Sequence, residues 1–214
     1  MGNLLILGAG GHGKVVSEIA TLKNSWENIA FLDDRENINE VSNISVIGKF
    51  SDYSSFKQKY QYAFVAIGNN KLRLKWIERL LREGFIMPTL VHPFSSISKT
   101  SIIGEGTVVM AGAVINADTR IGRGCIINTS SSIDHDCSLK DGVHISPGVN
   151  LGGTVTIDEC TWACIGSNVI NNINVGSNVV LAAGAVVNKN IPNNVMVAGV
   201  PAKIKKQVGV FENE

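Results

Sequence analysis

The sequence is short of several things. Charge is sparse, at 17%, and balanced, with 19 Lys and Arg against 18 Asp and Glu. A net charge of +1 supplies no basic field for nucleic acid or for an anionic membrane. No apolar run approaches the ~18–20 residues that cross a bilayer, so no membrane span is expected. The first residues hold an apolar stretch with no basic leader and no cleavage site, which speaks against a secretory signal and for the cytoplasm. Cysteine is confined to Cys125, Cys137, Cys160 and Cys164, and none of these has the C-x-x-C spacing of a zinc or redox site. No metal is expected, and the thiols are expected to be buried as small apolar groups.

What is present falls into two halves. Residues 1–92 alternate strand and helix patterns. "NLLILG" is an apolar run ending in glycine, followed by "HGKVVSEIATLK" with apolar residues at helical spacing. "NIAFLDD" and "YAFVAIG" read as further strands, "NKLRLKWIERLLREG" as an amphipathic helix stopped by glycine, and "FIMPTLVHP" as a short last strand. Such alternation predicts a small Rossmann-like parallel βαβ domain, half of a doubly wound fold and large enough for one nucleotide.

Residues 93–214 follow another rule. From Ile97 an aliphatic residue returns every sixth position through Val187, with Ala163 the one exception, and four positions after each comes a small or β-branched residue. A six-residue internal repeat of this kind predicts short strands separated by corners. Three units close a triangular coil of 18 residues, and coils stack at about 4.8 Å into a parallel β-helix. Gly104, Gly122, Asn128, Gly152 and Gly176 are expected at corners, where unusual backbone angles are needed.

Two groups of residues carry candidate chemistry. "GAGGHG" (Gly8–Gly13) satisfies G-x-G-x-x-G between a strand and a helix, with Asp33 twenty residues past Gly13. Glycine lets the backbone approach a diphosphate, and the helix N-terminus favours its charge. The domain lacks the second mononucleotide half and any dehydrogenase constellation, so a nucleotide-sugar fits better than a nicotinamide cofactor. His12 lies inside this turn, as ligand contact or structural residue; His92 has no partner in sequence and no assigned role. In the repeat, His135 is flanked by Asp134 and Asp136 on an outward-facing stretch. An imidazole there suits a general base for acyl transfer at neutral pH, with either carboxylate able to fix its tautomer. His144 follows nine residues later, half a coil, which puts the two histidines on opposite sides of one prism. They can share a site only across a subunit boundary, so an oligomer is expected.

The motifs "GAGGHG", "FLDD", "AIGNN", "INTSSSIDHD" and "GVPAK", together with the repeat, resemble the two-domain left-handed β-helix sugar O/N-acetyltransferases over nearly all of the chain. Within them the chain is most similar to bacterial nucleotide-sugar 4-amino N-acetyltransferases. The resemblance implies a left-handed β-helix and a homotrimer with active sites between subunits. It implies nucleotide-sugar contacts at Gly10, Gly11, His12, Gly13, Asp33, Asp34, Gly68, Asn69 and Asn70. Arg73 is either a phosphate contact or a solvated helix residue. It also implies His135 as base and Asp136 as its acidic partner, with direct contact the open point because aspartate is short and Asp134 is a rival. Acetyl-CoA is the implied co-substrate, held near His144, Asn128, Gly153, Ile165 and Ala183, with Lys203 or Lys205 near its phosphates.

The expected activity is acetyl transfer from acetyl-CoA to the 4-amino group of a UDP- or dTDP-linked 4-amino-4,6-dideoxyhexose, for a bacterial surface glycan or glycoprotein. The backbone N–H of Gly153 is a candidate for stabilising the oxyanion. Two alternatives stand beside it: O-acetylation of a sialic-acid-type sugar, and a β-helix that binds nucleotide-sugars without turnover.

Overall fold

We describe residues 2–209 of a computed structural model of the chain. They form two compact units, one ending at Pro93 and the other beginning at Phe94.

The first unit runs β1 (Gly2–Leu7), α1 (Gly11–Leu22), β2 (Trp26–Leu32), β3 (Glu40–Val41), β4 (Ile44–Ser45), a 3-10 helix at Phe50–Phe56, β5 (Tyr62–Val65) and α2 (Asn70–Arg82). β1 lies between β2 and β5 and is parallel to both. Side chains alternate along a strand, so Leu5, Leu7, Ala30, Leu32, Ala63 and Val65 share one face. There they join Ile77 and Leu80 of α2 with Tyr53 and Phe85 in one core. Leu4, Ile6, Phe31 and Phe64 alternate with them and are buried as well. Burial on both faces explains why these strands read as unbroken apolar runs. The stretch between Asp34 and Tyr62 carries no clear pattern in sequence. It holds the β3–β4 hairpin, whose two turn residues Ser42 and Asn43 have φ of +52° and +61°.

The second unit is a parallel β-helix. Sixteen two-residue strands run from Ser96–Ile97 to Val186–Val187 and form three faces in rotation. The register is eighteen residues: Ile115 pairs with Ile133, Ile133 with Leu151, and Leu151 with Val169. The aliphatic column is buried from Val109 through Val187. Ile97 and Ile103 are only half-buried, because each has a paired coil on one side alone. After the last repeat, Val195–Ala198 continues the third face parallel to Val180–Leu181, and Lys203–Gln207 turns back antiparallel to it.

Two expectations need correction. Gly104, Gly122, Gly152 and Gly176 do not adopt left-handed angles; they are glycine because the next coil is too close. A Cβ on Gly122 would meet Asp141 Oδ1 at 2.5 Å, and one on Gly176 would meet Asn193 Oδ1 at 2.2 Å. The left-handed corner lies two residues later, at Gly106, Gly112, Asp118, Gly124, Ser130, Asp136 and their equivalents. Nor are all the thiols buried: Cys125 and Cys137 are, whereas Cys160 and Cys164 are half-exposed. Cys160 sits at one of those corners, with φ of +57°.

Candidate active site

The glycine turn at Gly8–Gly13 divides its labour. Gly8 has φ of +105°, and a Cβ on Gly13 would lie 2.0 Å from the Gly8 carbonyl oxygen. These two glycines close the turn and seat α1 against β1; Gly13 is buried and has no surface to offer a ligand. Gly10 and Gly11 have nothing within 4 Å of a notional Cβ, and neither has Gly68. Gly10 is the N-cap of α1 and supplies no side-chain cap, which leaves the helix N–H groups for an anion. His12 is half-buried, and its covered Nε2 has no hydrogen-bond partner among the described residues. Burial, and then the charge of Arg73, lower its pKa to about 4, so the ring is neutral at pH 7. A buried ring nitrogen left without a partner beside open glycines is what a polar ligand would complete.

The residues expected to line this site are engaged more inwardly than the motif suggested. Asp33 is buried, and its carboxylate accepts four hydrogen bonds: from Ala9 N at 2.7 Å, from Arg35 N, and from two guanidinium nitrogens of Arg35. Burial raises its pKa, but the bonds from Arg35 and Ala9 outweigh this and hold it below the ordinary value. Asp33 therefore locks the end of β2 to the turn, with its acceptor capacity filled. Asp34 accepts from Phe50 N and starts the 3-10 helix. Asn69 caps α2 by accepting from Leu72 N.

Arg73 is neither a phosphate contact nor a solvated residue. Its side chain is 1% exposed, and it donates to the carbonyls of Ile67 and Gly68 and to Asn70 Oδ1 at 2.9–3.1 Å. The guanidinium fork is spent on shaping the Gly68–Asn70 loop from beneath.

The β-helix gathers a second group. Ser132–Ile133 belongs to the first face, and the chain then turns through Asp134, His135 and Asp136. Asp136 takes the left-handed corner with φ of +57°, which aspartate tolerates, and this swings its carboxylate back to the preceding ring. Asp136 Oδ2 lies 2.7 Å from His135 Nδ1, so the shorter acid does reach. Asp134 acts on the backbone instead. Its Oδ1 accepts from Asn116 Nδ2 and from His135 N, pinning the main chain at the corner. The hydrogen bond to Asp136, then the charge of Asp134, raise the His135 pKa above its ordinary value. Nδ1 is held by Asp136, which leaves Nε2 as the outward ring nitrogen. It lies over Gly153, where a Cβ would come within 2.7 Å.

His144 is elsewhere on the prism, in a strand of the third face paired with Ile126 and Trp162. Asn128, Ile165 and Ala183 lie at the corner that follows this face, whereas Gly153 lies with His135. Ile165 and Ala183 are exposed, as is Lys203 on the last strand. Within one chain, the residues expected around the co-substrate thus fall into two separate groups.

Known proteins follow the same plan. Residues 3–80 match the model of the PglD N-terminal domain. A UDP-N-acetylbacillosamine N-acetyltransferase of Bacillus subtilis is 39% identical over 115 residues, a match spanning 52% of each chain, or about half the length of that relative. A GDP-perosamine N-acetyltransferase of Escherichia coli is 30% identical over 201 residues, covering 91% of this chain and 81% of that one. The chain belongs to the hexapeptide-repeat sugar acetyltransferases. A crystal structure of a perosamine N-acetyltransferase from Caulobacter crescentus, a histidine-to-asparagine variant in complex with CoA and GDP-perosamine, superposes with a TM-score of 0.92. Identity is 35%, with 97% of this chain and 98% of that one covered.

In this sugar acetyltransferase, several residues near the candidate sites escape a reading along the chain. Asn116 supports Asp134, and Trp162 stacks on His144 with centroids 5.8 Å apart and planes 13° from parallel. The Trp162 indole N–H is itself fixed by Ser146 Oγ at 2.8 Å. Asn116 is eighteen residues before Asp134, Trp162 eighteen after His144, and Gly153 eighteen after His135. Reading the sequence in steps of one coil would have paired all three. Arg35 carries no comparable signal beyond its closeness to Asp33.

Proposed function

We propose that this enzyme transfers the acetyl group of acetyl-CoA to the amino group of a nucleotide-linked amino sugar, a 4-amino-4,6-dideoxyhexose, with His135 as general base. The observation that carries this reading is the 2.7 Å contact between His135 Nδ1 and Asp136 Oδ2. It holds the neutral ring in the tautomer with Nδ1–H donated to the carboxylate and the lone pair on Nε2. The acceptor amine attacks the thioester carbonyl while Nε2 takes its proton. The tetrahedral intermediate then expels the CoA sulfur, which recovers that proton from the imidazolium. Gly152 N and Thr154 N bond to neighbouring coils, and Gly153 N between them takes no part in that ladder among the described residues. Its N–H is our candidate donor to the oxyanion.

The glycine turn and the orphaned His12 nitrogen support a nucleotide diphosphate in the first unit, with contacts at Gly10, Gly11, His12 and Gly68. The named relatives act on UDP- and GDP-sugars, so the base is an open choice, which thermal shifts with UDP, dTDP, GDP and CMP distinguish. The division of the co-substrate residues between two faces supports a homotrimer in which His135 of one copy meets the His144 face of the next. A cytoplasmic location and a role in surface-glycan synthesis follow from such a substrate.

His135→Ala should lower kcat by roughly 10²–10⁴-fold while leaving nucleotide binding intact. Retention of more than about a tenth of wild-type turnover would refute the base assignment. A stable monomer with full activity in scattering and assay would refute the shared site.

A further inference from the structure

The small-residue column does more than fill space. At the corner leading to His135, Ser101 Oγ donates to the Asn116 carbonyl at 2.8 Å and Thr119 Oγ1 to the Asp134 carbonyl at 2.7 Å. Cys137 Sγ is 3.3 Å from the Gly152 carbonyl and donates to it. These three donors are eighteen residues apart, and each reaches the carbonyl fifteen residues ahead. The column then passes to Val155, which has no donor. Thr119 is also an acceptor, from Cys137 N at 3.2 Å, which links two of the donors. Cys137 is buried, and burial pushes its thiol pKa up, so the S–H proton stays in place to donate.

The carbonyls so held are those of two peptides that matter. The Asp134 carbonyl belongs to the peptide that leads into His135. The Gly152 carbonyl belongs to the Gly152–Gly153 peptide, the floor on which the imidazole rests. Two adjacent glycines have more backbone freedom than any other pair. A Cβ at Gly152 would lie 2.4 Å from Asn171 Oδ1, so that freedom cannot be removed by a larger residue. The thiol hydrogen bond restrains this peptide from inside the prism.

We propose that Thr119 and Cys137 are positioning residues for acetyl transfer. They hold from within the coil the two peptides that set the height of the His135 ring above Gly153. The proposal rests on His135 being the base.

The repeat supplies isosteric tests. Valine already occupies the column at 143, 149, 155 and 179, and threonine at 107, 119 and 161. Cys137→Val and Cys137→Thr have nearly the same shape and differ in the donor. Cys137→Val should lower kcat about tenfold relative to Cys137→Thr, with KM for both substrates within about twofold. Histidine side-chain NMR should show the His135 ring resonances displaced in Cys137→Val and restored in Cys137→Thr. Cys125 makes the same bond at another corner, to the Lys140 carbonyl at 3.2 Å, and Cys125→Val should leave kcat unchanged. Equal kcat and equal His135 resonances in the two Cys137 variants would overturn the proposal, as would an equal loss in Cys125→Val. If Cys137→Val does not fold, Thr119→Val against Thr119→Ser poses the same question at the Asp134 peptide. Should His135→Ala keep its turnover, the base reading fails, and the NMR comparison still decides whether the two donors place the ring.

Discussion

His135 and Gly153 are in contact across adjacent coils, and the contact exists because residue 153 has no side chain. A Cβ there would lie 2.7 Å from both Cε1 and Nε2 of the imidazole. No rotation of the methyl group relieves such an overlap, so the ring must tilt away. Gly153→Ala should therefore lower kcat by about 10²-fold, the scale of a displacement near 1 Å at a reacting group. Denaturant unfolding should change little, because the ring side of the contact is open to solvent. Steady-state kinetics beside an unfolding curve check both halves of the expectation.

Asp136→Asn should act on the pH profile as well as on the rate. The carboxylate stabilises the imidazolium and so raises the His135 pKa. A base works only when deprotonated, so the acid limb of kcat/KM in the wild type should fall above the ordinary histidine value near 6.5. In Asp136→Asn the limb should move to lower pH, while the maximal rate drops by roughly 10- to 100-fold through loss of tautomer control. An unmoved limb would separate Asp136 from the proton transfer.

His12 predicts a stability change of the opposite sense. Its pKa is lowered from 6.5 to about 4 in the folded protein. Between those values the unfolded chain binds a proton that the native state refuses, so stability is lost as pH falls from about 6.5 towards 4. The shift corresponds to about 3 kcal/mol at most, less for a side chain that is only half-buried. His12→Gln should flatten that part of the curve in urea titrations at pH 7, 5.5 and 4. Saturating nucleotide should preserve the wild type's steepness if it binds the neutral ring.

Arg73 should be costly to lose even though it offers almost no surface to solvent. Arg73→Met removes the donor to the carbonyls of Ile67 and Gly68, at about 1 kcal/mol for each such part-buried bond. Arg73→Lys should restore little, because a single ammonium cannot span both carbonyls and Asn70 as the planar fork does. Thermal unfolding should fall in both variants, and nucleotide affinity with it.

Legibility in the sequence depends on whether the cause of a feature is periodic. The β-helix is legible, because an inward aliphatic every sixth residue is a demand of the geometry itself. The strands of the first unit are too, being buried on both faces. The β3–β4 hairpin is not, since two-residue strands of mixed polarity leave no pattern. Asp136 as the partner of His135 is only half legible: the pairing of types stands in the sequence, while the choice between Asp134 and Asp136 needs the left-handed corner. Arg73 misleads for a simple reason. An amphipathic helix offers an arginine a wet face by default, and nothing along the chain reveals that two loop carbonyls take up its donors. The corner glycines mislead differently, because a residue pressed by the next coil and a residue at a positive φ look alike in sequence.

The three-faced prism also makes chain length a discrete quantity. Removing one hexad between His135 and His144 would not shorten a loop; it would rotate everything downstream by one face and carry the second histidine to the wrong side. Insertion of a whole coil keeps the face but moves it by one strand spacing, about 4.8 Å. Only a lobe budding from a corner leaves both the direction and the height of the two rings untouched. Variation in this unit is therefore expected as outgrowths at corners, never as a change of a few residues within the count.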